Sequence, residues 1–350
     1  MADPLDLSRA RVLVTGGAGF IGSNFVHGLL AKHPGVHVVV LDALTYAGRR
    51  ENLDGIPAAK LTFVHGDIRD PLAVAEAMAG CQFVLNFAAE SHVDRSIETP
   101  GEFIQTDVYG VFVLCEEARR AGVSRFIQVS TDEVYGEVLE GHSTEDWPLN
   151  PRSPYAASKA GGDRLAYAYG CTYGLPVVVT RCSNNYGPRQ YPEKLVPLFV
   201  TNAIEDQPLP VYGNGRNRRD WLHVQDHCDA LLTLLTHPGV DGETFNIGAQ
   251  HELDVLMITD TLLRLLDKPR TLVRFVEDRP GHDRRYAVDS SKLTRVTGWK
   301  PVIPFEQGIR QTVEWFQTNQ AWWKAIKTGE FRAYYERMYG QRKVLREVKA

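Results

Sequence analysis

The sequence predicts an α/β fold in which a doubly wound parallel sheet is followed by a smaller mixed α/β lobe. Three observations predict it. A glycine-rich turn, Gly16-Gly17-Ala18-Gly19-Phe20-Ile21-Gly22, follows a short apolar run and opens a helix-like segment. Strand-sized apolar runs then alternate with helix-length segments as far as residue 181. Beyond Arg181 the texture changes to turn formers such as Asn184-Asn185-Tyr186-Gly187-Pro188 and Tyr212-Gly213-Asn214-Gly215.

The first strand, residues 12–14, delivers the chain into the glycine turn. The pattern Gly17-x-Gly19-x-x-Gly22 permits a tight turn, close approach of the backbone to a pyrophosphate, and close packing of the helix over 21–32 on the strand. The second strand, 36–41, contains Val38-Val39-Val40, which suits a parallel strand buried on both faces. It ends at Asp42, about 20 residues beyond Gly22, where a carboxylate accepts both adenosine ribose hydroxyls. This is a Rossmann-like pattern, and it favours NAD over NADP. A 2′-phosphate would meet the Asp42 charge, and no arginine follows immediately.

The third strand, 61–64, leads to Asp67-Ile68, where Asp67 can face the adenine amino group, although alone it would read as a cap or a surface charge. A helix over 71–79 leads to the fourth strand, 83–86. The segment after it, Phe87 to Ser91, lies at the carboxyl edge, where open sheets bind ligands. One long helix over 97–121, a strand over 126–130, a helix over 153–173 and a strand over 177–180 complete this half.

The chemistry lies after the fifth strand. Thr131-Asp132-Glu133 places a hydroxyl and two carboxylates at a strand end, and Tyr155 and Lys159 share a helix face four residues apart. The Lys159 ammonium is expected to lower the Tyr155 phenol from about 10, giving a base for an alcohol or sugar hydroxyl. The carboxylate pair exceeds what simple alcohol oxidation needs. Two carboxyls in one confined site can divide into an acid and a base for elimination. The ordinary reading of the pair is a helix-capping loop. His92 reads as a supporting donor or a structural residue.

In the second half, strands are expected over 209–212, 245–247 and 272–275, and helices over 224–235, 255–266 and 305–318. The domain expectation is a mainly NAD-binding unit over 11–181 and a mainly substrate-binding lobe over 182–340, with chain crossovers between them, and a tail over 341–350. Around that tail Arg337, Arg342, Lys343, Arg346 and Lys349 stand against Glu347, which reads as a solvated helix end or frayed terminus.

Composition narrows the function. Apolar residues make up 43% and charged residues 23%, a globular rather than a disordered balance. Net charge is −4, which gives no whole-molecule drive toward nucleic acid or anionic membrane. Five dispersed cysteines form no Cys-x-x-Cys, so they read as reduced core thiols and no metal site is expected. The start of the chain shows no apolar leader and the longest apolar runs are strand-sized, so a cytoplasmic protein without a membrane anchor is expected.

Taken together, these motifs resemble the extended short-chain dehydrogenase/reductase superfamily and, within it, the dTDP-glucose 4,6-dehydratase family. The resemblance is carried by the glycine turn, Leu41-Asp42-Ala43-Leu44-Thr45-Tyr46-Ala47-Gly48, Asn86-Phe87-Ala88-Ala89-Glu90-Ser91-His92-Val93-Asp94, Ser130-Thr131-Asp132-Glu133-Val134-Tyr135-Gly136 and Ser153-Pro154-Tyr155-Ala156-Ala157-Ser158-Lys159. Later segments add Arg181-Cys182-Ser183-Asn184-Asn185-Tyr186-Gly187-Pro188, Arg219-Asp220-Trp221-Leu222-His223-Val224 and Asp278-Arg279-Pro280-Gly281-His282-Asp283. It runs from about residue 11 to the final aromatic helices. Ala43 departs from the pattern, in which a lysine often follows the cofactor aspartate.

The resemblance implies a lyase reaction on dTDP-glucose, in which Tyr155 takes the O4 proton, Glu133 removes the C5 proton and Asp132 protonates departing O6. It implies NAD contacts at Gly16, Gly19, Phe20, Ile21, Gly22, Asp42, Ala43, Leu44, Thr45, Asp67, Ile68, Phe87, Ala88, Ala89, Glu90, Ser91, Thr106, Tyr155, Lys159 and Asn185. For the nucleotide sugar it implies Ser91, Thr131, Asn184, Lys194, Leu195, Pro210, Val211, Tyr212, Arg219, Asn246, Asp278, Arg279, Pro280, Gly281 and His282. Lys194, Arg219 and Arg279 suit a diphosphate. A homodimer is also implied, built on the helices over 97–121 and 153–173 with Val108, Val111, Phe112 and Leu114 as apolar contacts. Two readings compete. A nucleotide-sugar 4-epimerase or decarboxylase would share NAD, Tyr155 and Lys159 without needing Asp132 and Glu133 as an elimination pair, and a protein that binds NAD without turnover would need none of Thr131, Asp132, Glu133, Tyr155 and Lys159.

Overall fold

The computed structural model describes residues 4–340 and 342–348; Lys349, counted above in the basic tail, lies outside them. The first six strands are β1 (Arg11–Thr15), β2 (His37–Asp42), β3 (Leu61–His65), β4 (Phe83–Asn86), β5 (Arg125–Thr131) and β6 (Val177–Cys182). Seven more follow: β7 (Asn184–Tyr186), β8 (Leu209–Tyr212), β9 (Arg218–His223), β10 (Thr244–Ile247), β11 (Glu252–Asp254), β12 (Val273–Val276) and β13 (Val344–Glu347). The main sheet has the order β10-β6-β5-β4-β1-β2-β3, and all of its pairings are parallel. The order reverses between β1 and β4, and the crevice beyond those carboxyl ends is where such sheets bind ligands.

Helices cover both faces because the strands are apolar on both. Val12, Val14, Val38 and Val40 face Phe25 and Val26 of α1 (Phe20–Lys32). Leu13, Val39 and Leu41 face the other way, toward Val74 and Ala77 of α2 (Pro71–Met78). Each such side chain contributes about 1.5–3 kcal/mol when fully buried.

The long helix expected over 97–121 is instead broken into α3 (Val93–Glu98), α4 (Pro100–Ile104), a π turn (Gln105–Gly110) and α5 (Val111–Ala121). Pro100 explains the first break. It has no N–H to give, and it forces Thr99 out of the helical region to φ −134°, ψ 64°. The π turn adds a residue to one turn, a device frequent at functional sites, and it places Thr106 in the wall of the crevice. The next helix, α6 (Pro154–Tyr173), starts cleanly because the Ser153 hydroxyl accepts from the Ala156 N–H at 3.1 Å and Pro154 occupies the first turn.

The later chain adds α7 (Leu195–Ile204), α8 (Val224–Thr236), α9 (Val255–Leu265), α10 (Ser291–Thr297), α11 (Phe305–Thr318), α12 (Gln320–Ile326) and α13 (Gly329–Tyr335). Two small sheets, β11-β9-β7 and β13-β12-β8, accompany them, while β10 returns to the edge of the main sheet. A separate apolar core gathers Phe199, Trp221, Phe275, Phe316 and Trp323. Two expectations change here. The tail is not a frayed end, since Val344–Glu347 pairs antiparallel with β12 as an edge strand, using backbone rather than side-chain pattern. Of the five free thiols, Cys81, Cys115, Cys182 and Cys228 are buried, but Cys171 is exposed on the outer face of α6.

Candidate active site

The glycine turn is built for close approach. Gly16 has φ +65°, and a Cβ there would stand 2.7 Å from the Ala88 nitrogen. At Gly22 a Cβ would meet the Gly16 carbonyl oxygen at 2.3 Å, so the helix could not sit where it does. Asp42 accepts from the Ala18 and Leu44 N–H groups at 2.9 and 2.8 Å, which fixes its carboxylate at the end of β2. Burial raises its pKa, with the two backbone donors opposing the rise. Both oxygens retain lone pairs for a diol, so cradle and carboxylate together fit the pyrophosphate and adenosine ribose of NAD.

One crevice runs from this turn to the catalytic candidates. Its wall includes Gly16, Gly19, Phe20, Ile21, Gly22, Asp42, Ala43, Thr45, Asp67, Ile68, the Phe87, Ala88, Ala89, Glu90, Ser91 segment, Thr106 and Asn185. Thr131, Asp132, Glu133, Tyr155 and Lys159 line the same crevice. Leu44 does not. It takes φ +49° in the turn and serves through the N–H that it gives to Asp42. Asp67 is engaged by Arg69, whose Nη2 stands 2.7 Å from it at the rim.

β5 ends directly in Asp132 and Glu133. Thr131 Oγ1 accepts from the Glu133 N–H at 3.3 Å and donates to Asp132 Oδ1 at 3.2 Å, so the hydroxyl organises the pair. Asp132 Oδ2 is buried without a hydrogen-bond partner among the described residues. Burial, together with the neighbouring Glu133 charge, pushes the Asp132 carboxyl up to about 8. Asp132 is therefore an acid at neutral pH. Glu133 lies near the charges of Lys194, Arg219 and Arg279, and its Oε2 lies 3.4 Å from the Tyr286 hydroxyl.

Tyr155 and Lys159 share the expected helix face, but the expected lowering of the phenol is not what this arrangement produces. Lys159 Nζ donates to the Val129 carbonyl at 2.9 Å. Burial, with the charges of Glu133 and Asp107 added, holds the Tyr155 hydroxyl well above 10. Asp107 is itself buried, accepting from the Glu90 N–H at 2.9 Å and the Ser158 hydroxyl at 2.6 Å, and burial pushes it up to about 6.

A second cavity continues from Glu133 and Asn184 into the later lobe. Lys194, Leu195, Pro210, Tyr212, Arg219, Arg279 and His282 line it. Lys194 Nζ donates to the Ser91 carbonyl, which joins the two cavities. Arg219 lies over the Tyr286 ring, 4.2 Å from its centroid, and donates to the Asp283 carbonyl at 3.0 Å. Three cations thus meet in one largely buried channel, an arrangement suited to two phosphates.

Five implied sugar contacts lie outside both walls. Asn246 is fully buried in β10, its carboxamide committed to the Tyr135 hydroxyl at 2.8 Å and the Ser143 and Asp289 carbonyls at 2.9 and 3.2 Å. Val211 points into the later core because it alternates with Pro210 and Tyr212 along β8. Asp278 ties its own loop together by accepting from His282 Nδ1 at 2.6 Å, and Pro280 and Gly281 form the bend between them. Sequence reasoning missed Glu193 and Tyr286. Glu193 lines both cavities immediately before Lys194 in Tyr191-Pro192-Glu193-Lys194, and Tyr286 lies four residues past His282. No local pattern marked either one, since a carboxylate after a proline and a tyrosine after two arginines are ordinary on a surface.

Comparison with known proteins adds an independent line. The family model described as GDP-mannose 4,6 dehydratase matches residues 13–312. A dTDP-glucose 4,6-dehydratase of Xanthomonas campestris is 51% identical over 91% of this chain and 97% of its own length. A crystal structure of the dTDP-glucose 4,6-dehydratase of Streptomyces venezuelae with NAD bound superposes with a TM-score of 0.88 at 51% identity, covering 91% of this chain and 100% of that one. A UDP-glucose 4-epimerase of Thermus thermophilus complexed with NAD also superposes, with a TM-score of 0.82 at 35% identity over 88% of this chain and 99% of the other. The architecture is thus shared across two reaction types, and residues at the crevice must distinguish them.

Proposed function

The chain belongs to the 4,6-dehydratase family of NAD-dependent nucleotide-sugar enzymes, and on that premise we propose how its residues divide the conversion of dTDP-glucose into dTDP-4-keto-6-deoxy-glucose and water. The observation that carries the reading is the Asp132–Glu133 pair beside Tyr155. A buried acid pushed up to about 8 stands next to a carboxylate that lies near three cations. An epimerase needs the tyrosine but has no use for that pair.

NAD, held by the glycine turn and Asp42, would supply a hydride acceptor for C4 and the same hydride for C6, leaving the reaction redox-neutral overall. Tyr155 takes the O4 proton as C4 is oxidised, and Thr131 holds the same oxygen through its hydroxyl. The ketone at C4 acidifies C5. Glu133 then removes the C5 proton while Asp132 delivers its proton to O6, and the C5–C6 double bond forms as water leaves. Once the hydride is back on C6, reprotonation of C5 by Glu133 would complete the product, and passage of one proton from Tyr155 to Asp132 through solvent would restore both groups. Tyr155 sits on the same helix face as Lys159, which the Val129 carbonyl holds in place, and the Thr131 hydroxyl favours its ionised form against burial and the charges of Glu133 and Asp107.

Incubation of the NAD-loaded protein with dTDP-glucose, followed by mass analysis, tests the reaction. Loss of one water is the expected result, whereas unchanged mass with inverted C4 stereochemistry would replace it with the epimerase reading. By resemblance alone, thymidine should be preferred to uridine as the nucleoside, because one methyl offers only about 1–3 kcal/mol of discrimination and no residue visibly selects it.

A homodimer is the assembly we infer. Ile104, Tyr109, Phe112, Tyr167 and Tyr173 expose apolar surface along the π turn and helices α4 to α6. Phe112 faces outward as expected of a contact, but Val111 and Leu114 are buried in the main core and cannot take part. Sedimentation at micromolar protein should give twice the 39.2 kDa chain mass, and a monomer would remove the interface. No helix among the described residues is long and apolar enough to cross a membrane. The five free thiols support a cytoplasmic setting, which cell fractionation would check.

A further inference from the structure

We infer that Arg95 is a positioning residue of the active site: its guanidinium, clamped between the rings of Tyr46 and Tyr334, holds the Glu193 carboxylate in place against the nucleotide-sugar cavity. The clamp is visible in the distances. Arg95 lies 3.7 Å from the Tyr46 ring centroid on one side and 4.1 Å from that of Tyr334 on the other. Its Nε donates to Glu193 Oε2 at 3.0 Å. A planar cation between two aromatic faces loses little freedom when it forms that bond, and a flexible ammonium could not lie flat there.

Glu193 needs such a partner. Its side chain is 2% exposed, it lines both cavities, and its Oε1 is buried with no hydrogen-bond partner among the described residues. An isolated carboxylate so placed would take up a proton rather than stay charged. Burial pushes the Glu193 carboxyl up, and Arg95 and Lys194 oppose the rise. The other titratable groups that face it are Tyr46 from the loop after β2, Glu90 and His92 from the segment after β4, Tyr191 from its own loop, and Tyr334 from α13. Of the two opposing cations, Arg95 is the one hydrogen-bonded to the Glu193 carboxylate, with the Tyr46 hydroxyl adding to the same side. The carboxylate is thereby held at the wall that the two cavities share, with Oε1 left as a buried acceptor without a partner among the described residues.

Three distant stretches of chain meet in this clamp. Tyr46 belongs to the loop that begins at Asp42, Arg95 to α3, and Tyr334 to α13, where its hydroxyl also lies 3.2 Å from His92 Nδ1. The C-terminal helices therefore reach the chemistry without lining the NAD crevice.

The inference rests on the dehydratase reading, so turnover of dTDP-glucose by the unaltered enzyme is the control that keeps the two apart. Arg95→Met fills the same space without charge. It should lower kcat/KM on the order of 10- to 100-fold near neutral pH, as expected for loss of a charged hydrogen bond. The ratio of variant to unaltered kcat/KM should rise as pH increases, because Glu193 without its cation ionises only at higher pH. Arg95→Met combined with Glu193→Gln should be no slower than Glu193→Gln alone, and its ratio to that single variant should be independent of pH. A flat ratio for the single variant, or multiplied losses in the double variant, would overturn the assignment. If Arg95→Met fails to retain NAD, Arg95→Lys decides. An ammonium that cannot fill the aromatic clamp should lose about 3- to 10-fold, and undiminished kcat/KM would overturn the clamp.

Discussion

Tyr155→Phe should abolish the first step while leaving the cofactor site filled. The ring that packs edge-on against Phe103 at 6.3 Å is preserved, so the fold of α6 and the NAD crevice are expected to survive. What disappears is the hydroxyl assigned to take the O4 proton as C4 is oxidised. General-base loss of this kind amounts to roughly 10²–10⁴ in rate. On mixing the NAD-loaded variant with dTDP-glucose, product formation should fall by that factor and reduced-cofactor absorbance should not build up within a turnover. Near-normal absorbance growth would mean that another group deprotonates O4. The structure sharpens this expectation, because the phenol is held high by burial and by the negative charge of Glu133 and Asp107 rather than lowered by Lys159. The oxidation step should therefore speed up as pH rises through the neutral range, a dependence that Tyr155→Phe should erase.

The distinction between what was legible and what was not follows from the kind of interaction involved. The cofactor half was readable because local sequence specifies it. The glycine turn needs positive φ and no Cβ, Asp42 must end its strand, and β-branched runs must be buried on both faces. Tyr155 and Lys159 were readable because a helix brings positions four apart together. The break at Pro100 was readable in principle from the proline, yet the π turn that follows it was not, since no residue type demands it. The sugar side depended on tertiary pairing. Asn246 looked like a polar contact but is consumed by Tyr135, Ser143 and Asp289, partners far away in the chain. Glu193 gained its meaning only when Arg95, from nearly a hundred residues upstream, was seen to bind it. The edge strand Val344–Glu347 escaped for a similar reason, because its four residues are all exposed and no buried apolar alternation marks its pairing with β12.

Glu133→Gln and Asp132→Asn should separate elimination from oxidation, and they should do so differently. Tyr155 and Lys159 remain in both, so each variant should still oxidise C4 and accumulate reduced cofactor without losing water. Glu133→Gln removes the base that takes the C5 proton and should slow both deuterium exchange at C5 and departure of O6 by roughly 10²–10⁴. Asp132→Asn should slow O6 departure with a smaller effect on C5 exchange, because the base is intact and only the proton donor is gone. The pH dependence identifies the donor independently. A carboxyl raised to about 8 is protonated, and able to act as an acid, below that pH and loses this ability above it. In the unaltered enzyme the elimination step should therefore decline as pH passes through about 8, and this decline should vanish in Asp132→Asn. Following cofactor absorbance, C5 deuterium in heavy water and loss of O6 in the same samples resolves all three steps. Water loss and C5 exchange at the unaltered rate in Glu133→Gln would rule Glu133 out as the base. An alkaline decline that persists in Asp132→Asn would move the acid to another group at this wall, with the family and its overall reaction left standing.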